Sequence, residues 1–290
     1  MSRLAEQLTA GKFVVSAEVQ PPKGVDWSEA LEQSQLLKGH VVAVNVTDQQ
    51  SSVMRLGSLA LAHKLIDLGI EPIFQVTCRD RNRIALQSDL LSAYALGIEN
   101  VLSLTGDYVS LGDHPQAKPV FDLDSITLLQ TAKTLEGGHD MAGKELKGKP
   151  KFFLGAVVSP GSNPVELQVM KMEKKVKAGA QFFQTQAVYE PEVFEAFMKS
   201  VRHLKAPVLV GIIPLKSPGQ ARFMNKNIAG IHVPDNLIQE MEQAKDRTQK
   251  GLEIAARLIK DMKDMCQGVH IMPLGWEKHV PTLLKMAGLA

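Results

Sequence analysis

Cysteine is scarce, with two in 290 residues, Cys78 and Cys266. Two thiols make no disulfide framework. No CxxC pair occurs, which argues against a structural zinc or an iron–sulfur cluster held by this chain alone. No HExxH pattern occurs either, and the eight histidines are scattered, so no metal site is expected. An excess of one charge is also missing: 33 basic against 31 acidic residues leave a net +2. A nucleic-acid interface needs a clustered basic face. The densest cluster, Lys171, Lys174, Lys175 and Lys177, reads as a solvated helix face, so no nucleic-acid partner is expected. No apolar run reaches the ~18 residues of a membrane span. The start, Met1 to Gln7, has no apolar h-region and no cleavage-site pattern. A cytoplasmic protein is expected. Aromatics are 5%, beside 44% hydrophobic and 22% charged residues, an ordinary globular composition that excludes collagen, low-complexity disorder and coiled coil.

Two kinds of segment alternate along the chain. Short apolar runs rich in Val, Ile and Phe read as strands covered on both faces: Lys12–Val19, Val41–Val46, Pro72–Val76, Asn100–Leu104, Lys151–Val158, Gln181–Gln186, Pro207–Ile213 and Gly268–Met272. Amphipathic stretches between them read as helices. Met54–Leu68, Arg81–Leu96 and Val165–Ala178 each stop at a glycine, the expected left-handed cap. Glu192–Leu204 follows Pro191, a fitting first-turn residue. Leu237–Cys266 holds one or two helices, and Trp276–Ala287 a last one.

Strand starts lie roughly 25–31 residues apart, with wider gaps after the fourth and seventh. This rhythm predicts an α/β fold, a (β/α)8 TIM barrel in a single domain over residues 1–290, with a doubly wound sheet as runner-up. The wide gaps read as an insertion at about 107–150 and extra helices at about 233–266. Within the first gap, Gly143 to Pro150 nearly matches a phosphate-binding loop. Pro150 stands where Ser or Thr is required, and the loop precedes a strand, so a nucleotide-triphosphate role is set aside.

Active sites of parallel barrels form at the C-terminal strand ends. Those ends carry Glu18, Thr47-Asp48, Gln75-Val-Thr77-Cys78, Thr105-Gly106-Asp107, Ser159, Gln184-Thr185-Gln186 and His270. The rim therefore suits a polar, hydrogen-bonding ligand. Glu18 interrupts an apolar strand. Desolvation of a carboxylate favours its protonated form, which suits it to donate a proton; the competing reading is an ion pair with a rim lysine. Asp107, after Gly106, is a ligand contact or a turn residue. Cys78 has no neighbour in sequence to activate it, His63 lies on a helix as a surface or packing residue, and Met170 and Met172 read as packing residues.

Glu18 in Ser-Ala-Glu-Val-Gln-Pro-Pro, Thr47, Thr105-Gly106-Asp107 and the run from Lys175 through Ala178-Gly179-Ala180-Gln-Phe-Phe-Gln-Thr-Gln186 resemble the methylenetetrahydrofolate reductase family. The resemblance implies a barrel that binds flavin, FAD or FMN with FAD slightly favoured, and reduces 5,10-methylenetetrahydrofolate to 5-methyltetrahydrofolate. A donor would reduce the flavin, and its N5 would pass a hydride to the folate. Carried over by motif, Glu18 would be the acid that protonates the folate as its bridge opens. Asp107 would contact both flavin and pterin, and Gln186 the folate. Thr47, Asp48, Gln75, Thr105, Gly106, Phe121, Ser159, Asn163, Lys175 and Ala180 would fall at the flavin.

The chain departs from NADH-using members at four places. Gln75 stands for a histidine and Asp48 for a tyrosine. Lys216-Ser217-Pro218 lacks a stacking phenylalanine, and the last strand lacks a tyrosine and an arginine. The resemblance then implies electrons from a partner subunit or ferredoxin-like protein carrying the iron–sulfur clusters, in an oligomer. Two other readings stay open on the residues: a pterin-binding barrel without flavin, and a non-catalytic barrel subunit of a redox complex.

Overall fold

The computed structural model describes residues 1–289. Eight parallel strands close in sequential order: β1 Val14–Val19, β2 Ala43–Val46, β3 Pro72–Thr77, β4 Asn100–Leu104, β5 Phe153–Val158, β6 Phe182–Ala187, β7 Val208–Ile212 and β8 Gly268–Ile271. Each expected strand is present, with ends that differ from the expected bounds by no more than two residues. The helices are α1 Arg3–Thr9, α2 Ser28–Leu37, α3 Ser58–Asp67, α4 Arg83–Ala95, α5 Ser125–Glu136, α6 Val165–Lys177, α7 Pro191–Val201, α8 Pro218–Asn227, α9 Asp235–Gln243, α10 Arg247–Met262 and α11 Val280–Ala287. The architecture is the (β/α)8 barrel that the strand rhythm predicts.

Four helices have no counterpart in the pattern reading: α1, α2, α5 and α8. The stretch 107–150 is thus not all insertion, because α5 is the ordinary helix after β4. Its N-cap is Asp124, whose side chain accepts from Ile126 and Thr127. Three helices, α8, α9 and α10, lie between β7 and β8.

Strand register decides which side chains face inward. Glu18 sits beside Asn45, Gln75 beside Leu102, Leu102 beside Gly155, Val157 beside Gln184, and Gly211 beside His270, which neighbours Ser16. Neighbours in parallel register share a face, so these residues line the interior. The interior is apolar at its lower, N-terminal end, where Val14, Ala43, Ile73, Phe153, Phe182 and Leu209 form one cluster with Leu4, Ala5 and Leu8 of α1. That helix is a plug. Ser2 caps it by accepting from Ala5, and Glu71 accepts from the backbone of Arg3 and Leu4 at 2.7 and 2.9 Å. Each plug leucine contributes roughly 2 kcal/mol by burial. Above the plug the interior turns polar, with Ser16, Asn45, Gln75, Gln184 and His270 all buried.

Candidate active site

Glu18 occupies the second-last position of β1 and is 9% exposed. One oxygen, Oε1, accepts from Gln75 Nε2 at 2.9 Å and lies 3.3 Å from His270 Nε2. The other, Oε2, is buried without a partner among the described residues. Its contacts are an amide and an imidazole, not a rim lysine, so the ion-pair alternative gives way to a carboxyl with one oxygen held and one left over.

The His270 ring is itself oriented from behind. Ser16 Oγ lies 3.0 Å and Gln184 Nε2 3.2 Å from its Nδ1. Gln184 is locked by reciprocal amide bonds to Asn45 of 2.8 and 3.0 Å. Donors against Nδ1 assign the ring proton to Nε2, directed at Glu18. A chain of buried hydrogen bonds thus runs from the barrel centre to the carboxyl, and such a chain fixes orientation because each member satisfies the next.

This carboxyl walls a cavity of about 290 Å³ at the C-terminal mouth, lined also by Gln75, Asp107, Gln184, Gln186 and His270. Asp107 is exposed. Its backbone carbonyl accepts from Ser52 Oγ at 3.2 Å. A second chamber of about 230 Å³ shares Glu18 and Gln50 with the first and includes Thr47 and Arg55. Thr47 Oγ1 is buried without a partner among the described residues. A third hollow, about 530 Å³, adjoins the first at Thr105 and Gly106 and is walled by Tyr108, Phe121 and Thr127. Tyr108 and Phe121 meet edge to face at 6.3 Å.

Arg79 holds the rim together. It is 2% exposed. Its Nε and Nη2 grip Asp80 at 2.9 and 2.7 Å, Nη2 reaches the Gln49 carbonyl, and Nη1 donates to Ser52 Oγ and the Asp107 carbonyl. The loop it clamps carries positive φ at Gln49, Ser51 and Ser52, none of them glycine. Left-handed backbone at such residues costs on the order of 1 kcal/mol each and persists only where surroundings enforce it. Gly112 completes the clamp by close approach, since a Cβ there would lie 1.8 Å from the Ser52 carbonyl oxygen.

A methylenetetrahydrofolate reductase family model matches residues 3–288. The chain belongs to the methylenetetrahydrofolate reductase family. Methylenetetrahydrofolate reductase 2 of Schizosaccharomyces pombe is 29% identical over 234 residues, 76% of this chain and 36% of that protein. Methylenetetrahydrofolate reductase (NADH) 1 of Zea mays is 23% identical over 310 residues, 100% of this chain and 50% of that protein. The chain thus spans about a third to a half of the length of these relatives. Among solved structures, an uncharacterized protein from Clostridium thermocellum superposes with a TM-score of 0.71 at 14% identity, covering 99% of this chain and 100% of that one. It is described as binding two copies of 5-methyl-5,6,7,8-tetrahydrofolic acid. At that identity the likeness is one of fold.

Within this family frame the residues named from sequence divide. Glu18, Gln75, Thr105, Gly106, Asp107 and Gln186 share the main cavity. Thr47 lines the adjoining chamber and Phe121 the hollow beyond Gly106. Ser159 and Asn163 lie in the loop after β5, at the same rim but outside these cavity walls. Three residues are otherwise engaged or lie elsewhere. Asp48 touches the cavity, but its carboxylate is engaged by Thr77 N and Oγ1 and by both Nη atoms of Arg81 at 2.7–3.1 Å, so it anchors strand ends. Lys175 reaches the Val157 carbonyl at 2.6 Å from α6; α6 and α5 cover the outside of the barrel there, and burial pushes its amine down to about 8. Ala180 precedes β6 and sits at the opposite rim, a strand length of about 20 Å away.

Sequence reasoning assigns no site role to His270 or Arg79. His270 carries the signal that marked Glu18, a polar residue on the inward register of an apolar strand. Arg79 carries none, because its role depends on loops that meet only in the fold. Cys78 is buried and its thiol is pushed up to about 12 by desolvation first, which leaves it inert. Among the described residues no group of three or more His, Cys, Asp or Glu gathers as metal ligands, and no helix is long and apolar enough to cross a membrane.

Proposed function

We propose that this chain reduces 5,10-methylenetetrahydrofolate to 5-methyltetrahydrofolate with a bound flavin, and that Glu18 is the general acid. The observation that carries this reading is the half-satisfied carboxyl at a polar cavity mouth. Because Oε1 accepts from the Gln75 amide, a proton on Glu18 belongs on Oε2. There it is available to the bridge nitrogen of the folate as the ring opens to an iminium. His270, as the Nε2–H tautomer, keeps Oε1 an acceptor and so keeps the proton on the free oxygen. Asp107 and Gln186 supply the carboxylate and amide that pair with a 2-amino-4-oxo pterin.

The chain's residues suit a flavin. Thr47 Oγ1 is a buried hydroxyl without a partner among the described residues. Gly106, at φ +97, has little room for a side chain, since a Cβ there would lie 3.0 Å from Arg79 Cβ, and its bare backbone leaves the rim open to a flat ring. Thr47, Gln75, Thr105, Gly106, Asp107 and Phe121 would hold the cofactor, which when bound supplies the hydride. The hollow walled by Tyr108 and Phe121 has room and aromatic edges for an adenine, which supports FAD over FMN. The folate described for the Clostridium thermocellum protein is the product this reading requires.

The donor in this reading is a partner subunit or ferredoxin-like protein carrying iron–sulfur clusters. Where a nicotinamide-stacking residue would stand, Ser217 instead caps α8 by accepting from Gln220 and Pro218 opens that helix. An oligomer in the cytoplasm completes the proposal, on the family resemblance.

The test is Glu18→Gln. The variant is expected to bind flavin and to accept electrons as wild type does, yet to lose methylenetetrahydrofolate reduction by a factor of roughly 10²–10⁴, because only the second half-reaction needs the acid. Reduction at near wild-type rate overturns the assignment.

A further inference from the structure

The polar layer in the middle of the barrel is joined from wall to wall. Strands β2 and β6 stand opposite each other in the closed sheet. Asn45 and Gln184 meet between them, Asn45 Nδ2 donating to Oε1 at 2.8 Å and Gln184 Nε2 to Oδ1 at 3.0 Å. The same Gln184 nitrogen lies 3.1 Å from Ser16 Oγ and 3.2 Å from His270 Nδ1, and Ser16 Oγ lies 3.0 Å from that Nδ1. All four side chains are buried, so the protons of this cluster find their acceptors within it.

Counting donors gives the cluster a direction. An amide nitrogen carries two protons, a hydroxyl one and a neutral imidazole one. Gln184 Nε2 thus has two protons for three acceptors: Asn45 Oδ1, Ser16 Oγ and His270 Nδ1. Among the described residues, Ser16 Oγ bonds only to Gln184 Nε2 and His270 Nδ1. The amide nitrogen accepts nothing, so the Ser16 proton goes to Nδ1. Gln184 then gives its protons to Asn45 and Ser16. The ring proton of His270 falls on Nε2, 3.3 Å from Glu18 Oε1. The opposite tautomer, with the proton on Nδ1, would leave the Ser16 proton buried without an acceptor, a costly arrangement.

We infer that Gln184, held by Asn45, is a positioning residue: by aiming the Ser16 hydroxyl it fixes the His270 tautomer that keeps Glu18 Oε1 free of a proton. This inference rests on Glu18 being the acid. Two donors, Gln75 Nε2 at 2.9 Å and His270 Nε2, then converge on Oε1, and the carboxyl proton is confined to the other oxygen. With the ring proton on Nδ1, a lone pair on Nε2 would face Oε1 instead. It would draw the carboxyl proton into a Glu18–His270 hydrogen bond and away from the folate nitrogen. No proton travels along the cluster in this role; Gln184 acts through Ser16 and His270 by orientation alone.

Imidazole ¹⁵N NMR of the flavin-bound protein reads the tautomer directly, with the His270 signals assigned by their loss in His270→Gln. Wild type is expected to show an unprotonated, acceptor-type Nδ1 and a protonated Nε2. In Gln184→Met the Ser16 hydroxyl is free to turn, and mixed tautomers are expected. With the flavin reduced beforehand by dithionite, that variant is expected to reduce methylenetetrahydrofolate roughly 10–100-fold more slowly in a single turnover, part of the ~10²–10⁴ that a general acid contributes. Ser16→Ala is expected to be the milder change although Ser16 touches the ring, because the Gln184 proton it releases lies within reach of Nδ1 at 3.2 Å. A protonated Nδ1 in wild type, an unaltered tautomer or an unaltered single turnover in Gln184→Met, or Ser16→Ala as damaging as Gln184→Met would overturn the inference. If Gln184→Met does not fold, the wild-type and Ser16→Ala spectra decide, a retained Nε2–H tautomer in both being the supporting result. The general-acid reading fails separately, through Glu18→Gln, and the tautomer is read whichever way that result falls.

Discussion

At the scale of single residues, the site depends on what burial does to polar side chains. Glu18 and His270 sit on inward positions of apolar strands; both ring nitrogens of His270 are engaged, and Glu18 keeps one oxygen, Oε2, without a partner among the described residues. Lys175 shows the opposite case, a cation buried with one carbonyl for company. Its amine is lowered to about 8 from 10.5, by desolvation first and by Lys171 second, with Asp124 opposing. The unfolded chain then binds the extra proton between these two values, so stability rises as pH climbs through that window. Below about 8 the full penalty of the buried charge is present. Lys175→Met is expected to raise the melting temperature of the apo protein by a few degrees at pH 7, with much of the gain gone at pH 10. Thermal unfolding at both pH values checks this, and an equal gain at both would show that the charge is not the cause.

Elements meet at the rim through two loops that neither strand nor helix pattern describes. The loop after β2 bends through three left-handed non-glycine residues, and the loop after β4 lies against it. Arg79, Ser52 and the missing side chain of Gly112 bind them together. Lys23 and the backbone of Met54 reach the same carboxylate, Asp113, from the facing loops. Gly112→Ala pushes a methyl into the Ser52 carbonyl, and overpacking of this kind costs about 1–3 kcal/mol. The expected outcome is a lower denaturation midpoint together with weaker flavin retention on gel filtration. Retention and stability both at wild-type level would mean that the two loops are not coupled. Arg79→Met should be the more damaging change, since it leaves the Gln49 carbonyl and the Asp80 carboxylate without their donor.

For the whole molecule, the question is where electrons enter. The mouth that would admit a nicotinamide is shaped by the turn after β7, where Ser217 and Pro218 start a helix. Lys216 there bonds the Leu274 carbonyl and lies 5.6 Å over the Trp276 ring, tying the β7 and β8 loops to each other. NADH alone is expected to reduce the bound flavin slowly and incompletely in anaerobic stopped-flow. Rapid stoichiometric bleaching would overturn the partner-donor proposal while leaving the folate reaction intact.

The amino-acid order by itself determined the barrel, and the reason is period. Strands buried on both faces must be continuously apolar, helices between them must be amphipathic, and their regular spacing leaves few topologies open. It also determined Glu18, because a carboxylate inside such a strand stands out against its neighbours. Short or polar helices escaped: α1 has seven residues, and α2 and α5 show weak apolar stripes because they mix buried serines and threonines with aliphatic residues. Only the tertiary structure decided that Asp48 is consumed by Arg81, that Ala180 lies at the far rim, and that Arg79 pins loops some 30 residues apart. Those facts depend on which side chains meet across the closed sheet, and sequence spacing carries no record of contacts made between distant loops.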